Sequence, residues 1–474
     1  MILREYQKKA IESIRESFAH GNNRIVLCAP TGSGKTIIFS EITRMVYEND
    51  KSVLIITNRK ELLGQTGNKL NEFGIYPEFL TSKLKIVPKH TVVVSMVETL
   101  KRRLKNDSYI EFIQAFNLII IDEVHINSFN KIFDSLKPNQ RVVGCTATPY
   151  RENPMPALEN YYDSIVNVCQ ISELVKLNFL AEPYTYGIPI DLKGVKMKGN
   201  DYDERALGEL YDDKIKYTGA VTNYEIFAKG KKTIVFCATI QNSIMLSEAF
   251  TISGYNSKHF DCYMNDLERK NVLSWFFANS DAILCNVGIL TTGFDCAEIG
   301  CVLIYRATKS LPLFLQMVGR GSRIAPNKEN FTILDFGNNI KTHNFWEADR
   351  IWTLKNPVKK KKGDQPAPVK ECPNCGALVP AQTKTCKYCE YEFISEVKQK
   401  NEIEILLQNL TPSQVQNLAN SGTLSVYELE QMRVAKNFKL GWIVWKLDTY
   451  EKLLEYEKLR GFKRGWAKYQ QIRG

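Results

Sequence analysis

Ala29-Pro-Thr-Gly-Ser-Gly-Lys-Thr36 stands between an apolar run, Arg24-Ile-Val-Leu-Cys28, and a helical pattern from Ile37 to Tyr47. A glycine-bearing turn at a strand-to-helix junction points successive backbone N–H groups at phosphate oxygens, and the helix N-terminus adds partial positive charge. In that frame Pro30, Thr31, Gly32, Ser33 and Gly34 form a phosphate cradle. Lys35 reaches the β- and γ-phosphates, and Thr36 ligates magnesium. Ala29 stands where such loops usually open with glycine. The competing reading is an ordinary Gly-rich turn; the order of strand, loop, Lys-Thr and helix favours a nucleotide.

A second constellation is Asn117-Leu-Ile-Ile-Ile-Asp-Glu-Val-His125. It ends an apolar strand on two carboxylates, at the edge where open α/β sheets bind ligands. Asp122 suits the hold on magnesium, and Glu123 suits orienting and deprotonating the water that attacks a γ-phosphate. A polar strand end is the bland alternative, and the phosphate loop argues against it.

Short apolar runs that must position these groups alternate with helical patterns: 24–28, 52–57, 91–95, 117–121 and 141–145, then 233–237, 281–285, 301–305 and 331–335. That alternation predicts an α/β protein with two parallel sheets wrapped by helices. A polar stretch from Gly187 to Asp213 reads as a connection or insertion. At 474 residues the chain exceeds one core, and a net charge of +11 with pI near 8.9 favours a polyanionic partner. The first residues are charged rather than signal-like, and no apolar run approaches membrane-spanning length. The expectation is a soluble protein of the cytoplasm, or of the host cytoplasm for a viral chain. Eight cysteines are scattered singly, several of them in apolar runs, such as Cys28, Cys145, Cys285 and Cys301. They read as small buried hydrophobes in a reducing compartment.

The ordered motifs from Leu3 to Asp335 resemble those of superfamily two helicases and translocases. Leu3-Arg-Glu-Tyr-Gln7 resembles the adenine-recognition element, which gives Gln7 the base edge. Asn58 to Gln65 and Ser95 to Leu100 resemble strand-contacting segments. Asp122-Glu-Val-His125 is similar to the magnesium and hydrolysis box in its histidine-ending variant. The resemblance gives His125, Thr146 and Thr148 of Thr146-Ala-Thr-Pro149, and Gln316, a coupling role. Thr291-Thr-Gly-Phe-Asp295 resembles the motif touching both nucleic acid and the ATP cleft, which brings in Gly293 and Asp295. Gln316-Met-Val-Gly-Arg-Gly-Ser-Arg323 resembles the arginine-finger motif. A γ-phosphate in transit spreads negative charge over its equatorial oxygens, and one placed guanidinium is worth about 10³ to 10⁵ in turnover. Arg320 and Arg323 fit that need; if they come from a second lobe, hydrolysis requires closure.

Cys372-Pro-Asn-Cys375 and Cys386-Lys-Tyr-Cys389 have the spacing of a four-thiolate structural zinc site. Gly376 allows the knuckle turn, and Phe393 serves as a small core. A pair of redox dithiols is the rival reading. Zinc binding supplies folding energy to so short a segment, about 10 to 16 kcal/mol for such peptides. Beyond it, Phe438-Lys-Leu-Gly-Trp-Ile-Val-Trp445 is echoed by Phe462-Lys-Arg-Gly-Trp-Ala-Lys-Tyr469. These aromatics either pack a helical core, with Trp442, Trp445 and Leu447 at helical spacing, or stack bases among lysines and arginines. Residues 401–430 read as helical without evident chemistry.

The expected organisation is an ATP-binding lobe over 1–185, a C-terminal lobe over 186–354, a linker over 355–370, a zinc ribbon over 371–394 and a helical tail over 395–474. The expected activity is an ATP hydrolase that uses ATP and Mg2+ to drive remodelling or unwinding of forked, branched or duplex DNA, with a structural Zn2+ in the ribbon. DNA rather than RNA rests on the variant forms of three motifs, in which His125 ends the box, Thr146-Ala-Thr148 replaces Ser-Ala-Thr, and Gln316 replaces a histidine. The resemblance extends to prokaryotic and phage DNA helicases with a zinc ribbon, including phage branch-migrating enzymes. It implies a monomer working with replication or recombination proteins. Three alternatives stay open: an RNA helicase, a non-motor ATP-controlled clamp, and the motor subunit of a nuclease, for which the chain shows no nuclease signature.

Overall fold

The computed structural model describes residues 3–58, 60–81, 91–126, 129–151, 156–291, 294–356, 368–393, 424–435, 438–462 and 465–473. Gly293, Arg59, the linker residues 357–367 and the stretch 401–423 lie outside them. Contacts divide the chain into two compact units, Met1–Ala381 and Gln382–Gly474.

The first unit holds both expected lobes. Strands β1 (Arg24–Cys28), β2 (Val53–Thr57), β3 (Glu78–Leu80), β4 (Val92–Met96), β5 (Leu118–Asp122), β6 (Val142–Thr146) and β7 (Ser164–Asn167) form a parallel sheet in the order β3-β4-β2-β5-β6-β1-β7. The central strands are apolar on both faces because helices cover both. Ile25, Leu27, Ile55 and Ile120 enter one core, while Val26, Leu54, Ile56 and Ile119 enter the other. Register sets the chemistry: Cys28 lies opposite Thr146, and Asp122 opposite Cys145, so the loops that follow open at one edge.

The second lobe contains β8 (Glu182–Gly187), β9 (Met197–Lys198), β10 (Asp201–Tyr202), β11 (Thr233–Cys237), β12 (Ser257–Phe260), β13 (Ile283–Asn286), β14 (Cys301–Tyr305) and β15 (Asn330–Asp335). Its parallel sheet runs β12-β13-β11-β14-β15-β8, and β9 pairs with β10 in a small antiparallel ladder. Because β8 lies beside β15, the second lobe begins before Glu182 rather than at residue 186. The polar stretch 187–213 is not a plain connection: it holds the β9–β10 ladder and the helix Glu204–Tyr211, which Asp203 caps.

Residues 344–356 return from the second lobe to the first as a strap. Tyr150 Oη donates to the Ile351 carbonyl at 3.0 Å, Asn167 to the Trp352 carbonyl at 3.3 Å, and the Glu159 N–H to the Leu354 carbonyl at 3.2 Å. Gln170 exchanges both amide bonds with the Arg350 backbone at 3.0 and 3.1 Å. The outgoing crossing near Gln170 and the returning strap therefore run side by side. Strands β16 (Val369–Glu371) and β17 (Leu378–Pro380) follow as a hairpin, and Leu378 lies over Gly187, where an added Cβ would meet its side chain at 2.6 Å.

In the second unit, the described tail is helical and holds its own core of Leu429, Met432, Ile443, Leu447, Leu453 and Tyr456. Trp442 packs against that core, whereas Trp445 is 76% exposed, so the expectation of a buried Trp445 is corrected. On its helix Ile443 and Leu447 take the inward positions, and Trp445 falls on the opposite face.

Trp352, 8% exposed and 4.9 Å from the Tyr150 ring, anchors the strap. Trp352→Ala should cost about 3 kcal/mol, read as a lower denaturation midpoint; an unchanged midpoint would show that the strap is not integral to the first unit.

Candidate active site

The loop after β1 closes on itself before the helix Lys35–Tyr47 begins. The Ser33 N–H and Oγ both donate to the Pro30 carbonyl, at 3.1 and 2.7 Å. Gly32 and Gly34 have φ of +85° and +80°. A Cβ at either would lie 2.6 Å from Leu180 or 2.5 Å from Gln7, so both conformation and space require glycine. Thr36 is the second residue of the helix. Gln7 is buried, donates to the Ser33 carbonyl at 3.1 Å and accepts from the Arg4 N–H at 2.9 Å. Tyr6 Oη donates to the same Ser33 carbonyl at 2.8 Å, and Arg4 lies 3.9 Å over the Phe179 ring. Phe179, absent from the sequence expectations, thus joins Arg4 and Tyr6 beside the loop.

Lys35 Nζ lies 2.7 Å from Glu123 Oε1 and 3.7 Å from Asp122 Oδ1, all three side chains nearly buried. Burial works against the Lys35 charge, but Glu123 and Asp122 outweigh it and hold its pKa above the usual lysine value. Burial also raises Asp122, with Lys35 opposing and Glu123 adding, to about 6. Glu123 feels the same burial, yet the closer Lys35 overcomes it and keeps this carboxyl below its usual value. The shorter contact decides which carboxylate takes the ammonium. Glu123 has φ of +55°, an uncommon conformation for a residue with a side chain, and its buried Oε2 has no hydrogen-bond partner among the described residues. The glycine cradle, the shared ammonium and that orphaned oxygen are what a site for a magnesium-bound triphosphate requires.

His125 Nδ1 sits 2.9 Å from Thr146 Oγ1, which also accepts from the Thr148 N–H at 3.0 Å. Burial lowers the His125 pKa and keeps the imidazole neutral near pH 7. Its Nε2 lies 3.5 Å from the Gln316 amide, a contact between the lobes. All four residues given a coupling role therefore form one chain of contacts.

Gln316 sits on the helix Leu311–Val318, which Ser310 caps. Just beyond it, a Cβ on Gly319 would lie 3.0 Å from Thr31 of the phosphate loop. Arg320 is buried, donates to the carbonyls of Phe294 and Thr291 at 2.5 and 2.7 Å, and contributes to holding Glu123 ionised. Arg323 instead forms an ion pair with Asp295 on its own lobe. Arg320 thus donates to carbonyls of its own lobe, and Arg323 joins Asp295, two residues expected to serve separately.

Lys328 gave no sequence signal. Its Nζ donates to the carbonyls of Ala297, Gly321 and Arg323 at 2.8, 2.7 and 2.7 Å, tying the arginine loop to the segment after Asp295. Arg151 was also missed. It donates to the Val124 carbonyl at 2.9 Å and to Asn130 at 2.6 Å, bracing the turn between Asp122 and His125.

The sulfurs of Cys372, Cys375, Cys386 and Cys389 lie within 4.8 Å of one another. Thiolates at tetrahedral zinc distances stand about 3.8 Å apart, so the cluster is consistent with a small zinc ribbon. Both knuckles turn alike: the Gly376 N–H donates to the Cys372 carbonyl at 2.8 Å, and the Glu390 N–H to the Cys386 carbonyl at 2.9 Å. Gly376 and Glu390 adopt φ of +73° and +61°. Phe393 is only partly buried, edge-on to Tyr391, while Ala377, Leu378 and Val379 are the buried apolar residues near the first knuckle.

Residues 1–151 match the family described as type III restriction enzyme, res subunit, and residues 218–325 match the helicase conserved C-terminal domain. The chain is therefore homologous to superfamily two helicases and to type I restriction enzyme subunits, an ATP-hydrolysing, helicase-like motor. A 51.5 kDa protein of a Lactococcus phage (isolate 7-9) is 28% identical over 394 residues, covering 82% of each chain. The putative ATP-dependent helicase IRC3 of Saccharomyces cerevisiae is 31% identical over 365 residues, 71% of this chain and 51% of that protein. The chain thus spans about half of the yeast relative's length. A fragment of a putative HsdR subunit of a type I restriction enzyme from Vibrio vulnificus shares the fold at a TM-score of 0.57 and 23% identity, over 73% of this chain and 66% of that one. No described helix is long and apolar enough to cross a membrane.

Lys328→Met should free the arginine loop and lower kcat about tenfold while KM for ATP moves less than about threefold. Steady-state ATPase kinetics would show it; an unchanged kcat would make Lys328 a structural residue only.

Proposed function

We propose that this chain is an ATP-driven motor on DNA that remodels or unwinds forked, branched or duplex substrates by closing the cleft between its two lobes. The observation that supports it best is the apposition of Lys35, Asp122, Glu123 and His125 on the first lobe with Gln316, Gly319 and Arg320 on the second. A triphosphate entering the cradle draws the Lys35 ammonium from Glu123 and leaves that carboxylate free. Glu123 then takes a proton from the attacking water as the bond from the γ-phosphorus to the leaving oxygen breaks. Thr36 and Asp122 would hold Mg2+, which supplies charge neutralisation at the phosphates. Arg320 stabilises the equatorial oxygens, and its place on the other lobe makes turnover depend on closure. His125 and Gln316 report that closure between the lobes. Arg323 and Asp295 act as a pair that orders the second lobe's edge of the cleft.

The choice of DNA is supported by the histidine-ending box, by Thr146-Ala-Thr148 and Gln316, and by kinship with restriction enzyme subunits. The cluster, made of four cysteines and leaving no open ligand position, suits structural zinc.

ATPase assays with matched single-stranded, duplex, forked and Holliday-junction DNA and with RNA should show stronger stimulation by DNA; stronger stimulation by RNA would reverse the assignment. Lys35→Ala should abolish hydrolysis. Glu123→Gln should bind ATP yet turn over at least about 100-fold more slowly, and normal turnover there would refute its role as base. Triplex displacement should accompany ATP use, whereas ATP-dependent binding without displacement would indicate a clamp. Elemental analysis should find zinc equimolar with the chain and lost in Cys372→Ser, with basal ATPase retained; loss of basal ATPase would mean the ribbon supports the motor.

A further inference from the structure

The helical tail is a tandem repeat. A step of 24 residues carries Phe438 onto Phe462, Trp442 onto Trp466, and Leu429, Met432 and Ile443 onto Leu453, Tyr456 and Ala467. Buried positions coincide: each of the last three pairs is at most 5% exposed. Ring geometry coincides too, because Phe438–Trp442 and Phe462–Trp466 both have centroids 4.6 Å apart at 34°. The same backbone bond closes each turn, from the Phe438 N–H to the Arg433 carbonyl at 2.9 Å and from the Phe462 N–H to the Glu457 carbonyl at 3.0 Å. Each repeat is a pair of helices, Val426–Ala435 with Leu440–Lys446 and then Tyr450–Arg460 with Trp466–Arg473.

Charge is segregated between the two helices of each repeat. In the sequence, segments 438–447 and 462–474 carry Lys439, Lys446, Lys463, Arg464, Lys468 and Arg473 and no aspartate or glutamate. The tail's acids from Glu428 onward fall on or just before the first helices, where Glu430 is buried against Arg433, Arg460 and Tyr456. Core packing accounts for Trp442 and Trp466, but not for Trp445, which stands on a second helix at 76% exposure with the Lys446 ammonium 4.4 Å from its ring. The repeat puts Tyr469 at the matching position of the sequence.

We infer that the two second helices form a binding surface for single-stranded nucleic acid, in which Trp445 stacks an unpaired base and Lys439, Lys446 and Lys468 neutralise flanking phosphates. An all-cationic pair of segments complements a polyanion, and an indole held away from the core offers a flat face that any unpaired base can cover. A duplex keeps its bases stacked and gains nothing from that indole. The inference rests on the reading of the chain as a nucleic-acid motor and assigns its tail a hold on the displaced strand.

The test uses the full chain and fluorescein-labelled oligothymidylate, with affinity read by anisotropy without nucleotide, alongside ATPase rates. Trp445→Ala should weaken single-strand binding about tenfold, Trp445→Phe should restore most of it, and Lys439→Glu with Lys468→Glu should weaken it and flatten its salt dependence. Duplex affinity should change little in Trp445→Ala, and ATPase without nucleic acid should not change. Unaltered oligonucleotide affinity in Trp445→Ala, with DNA-stimulated ATPase intact in the parent, would overturn the inference, leave the motor standing and assign the face to a protein partner. Equal loss on duplex and single strand would overturn the stacking role. If the parent shows no nucleic-acid-stimulated ATPase but Trp445→Ala loses binding, the surface stands and the motor reading falls.

Discussion

One buried ammonium holds the edge of the first lobe's candidate site together. Asp122 and Glu123 end a strand buried on both faces, where two adjacent carboxylates would repel each other in a poorly solvated pocket. Lys35, at the start of the helix after the phosphate loop, is placed to compensate them. The loop's left-handed glycines bring that helix start to the carboxylates, and the parallel register of β1, β5 and β6 keeps all three loop openings level. The pocket is therefore assembled around a charge triad that a triphosphate can redistribute.

The second lobe meets the first beside this triad, where Gln316 reaches His125 and Gly319 lies against Thr31, both presented by one short helix and the turn after it that also carries Arg320. Lys328 fastens that turn from behind, and Arg151 fastens the opposing box. Both are cations donating to backbone carbonyls, an economical way to fix a loop whose side chains are needed elsewhere. The geometry of the candidate site thus depends on two cations outside the motifs themselves.

Much of this was legible in the sequence because buried parallel strands write continuous apolar runs. β1, β2, β4, β5, β6, β11, β13, β14 and β15 fall on or within a residue or two of such runs. In the two large sheets the strands that escaped notice, β3, β7, β8 and β12, lie at sheet edges and are only partly covered, so their sequences mix polar and apolar residues. Missing β8 moved the expected lobe boundary. Motif residues were legible because their chemistry demands fixed types at fixed spacing, as Gly32, Gly34 and Lys35 show. Lys328, Arg151 and Phe179 were not, because each acts through backbone carbonyls or a neighbouring ring brought close only by tertiary folding. In the tail, the repeat was visible as an echo, but the outward turn of Trp445 depends on which helix face Ile443 and Leu447 claim.

The paired crossings at Gln170 and Arg350 bear on how the two lobes are free to travel. A single covalent thread would let one lobe swivel about the other in any direction. Two threads laced by reciprocal amide bonds, with Ser172 also bonded to Asp349 at 2.5 Å, act as a bifilar suspension. Two such threads resist a swivel of one lobe about the other more than a single thread would, because turning must break or stretch the bonds that lace them.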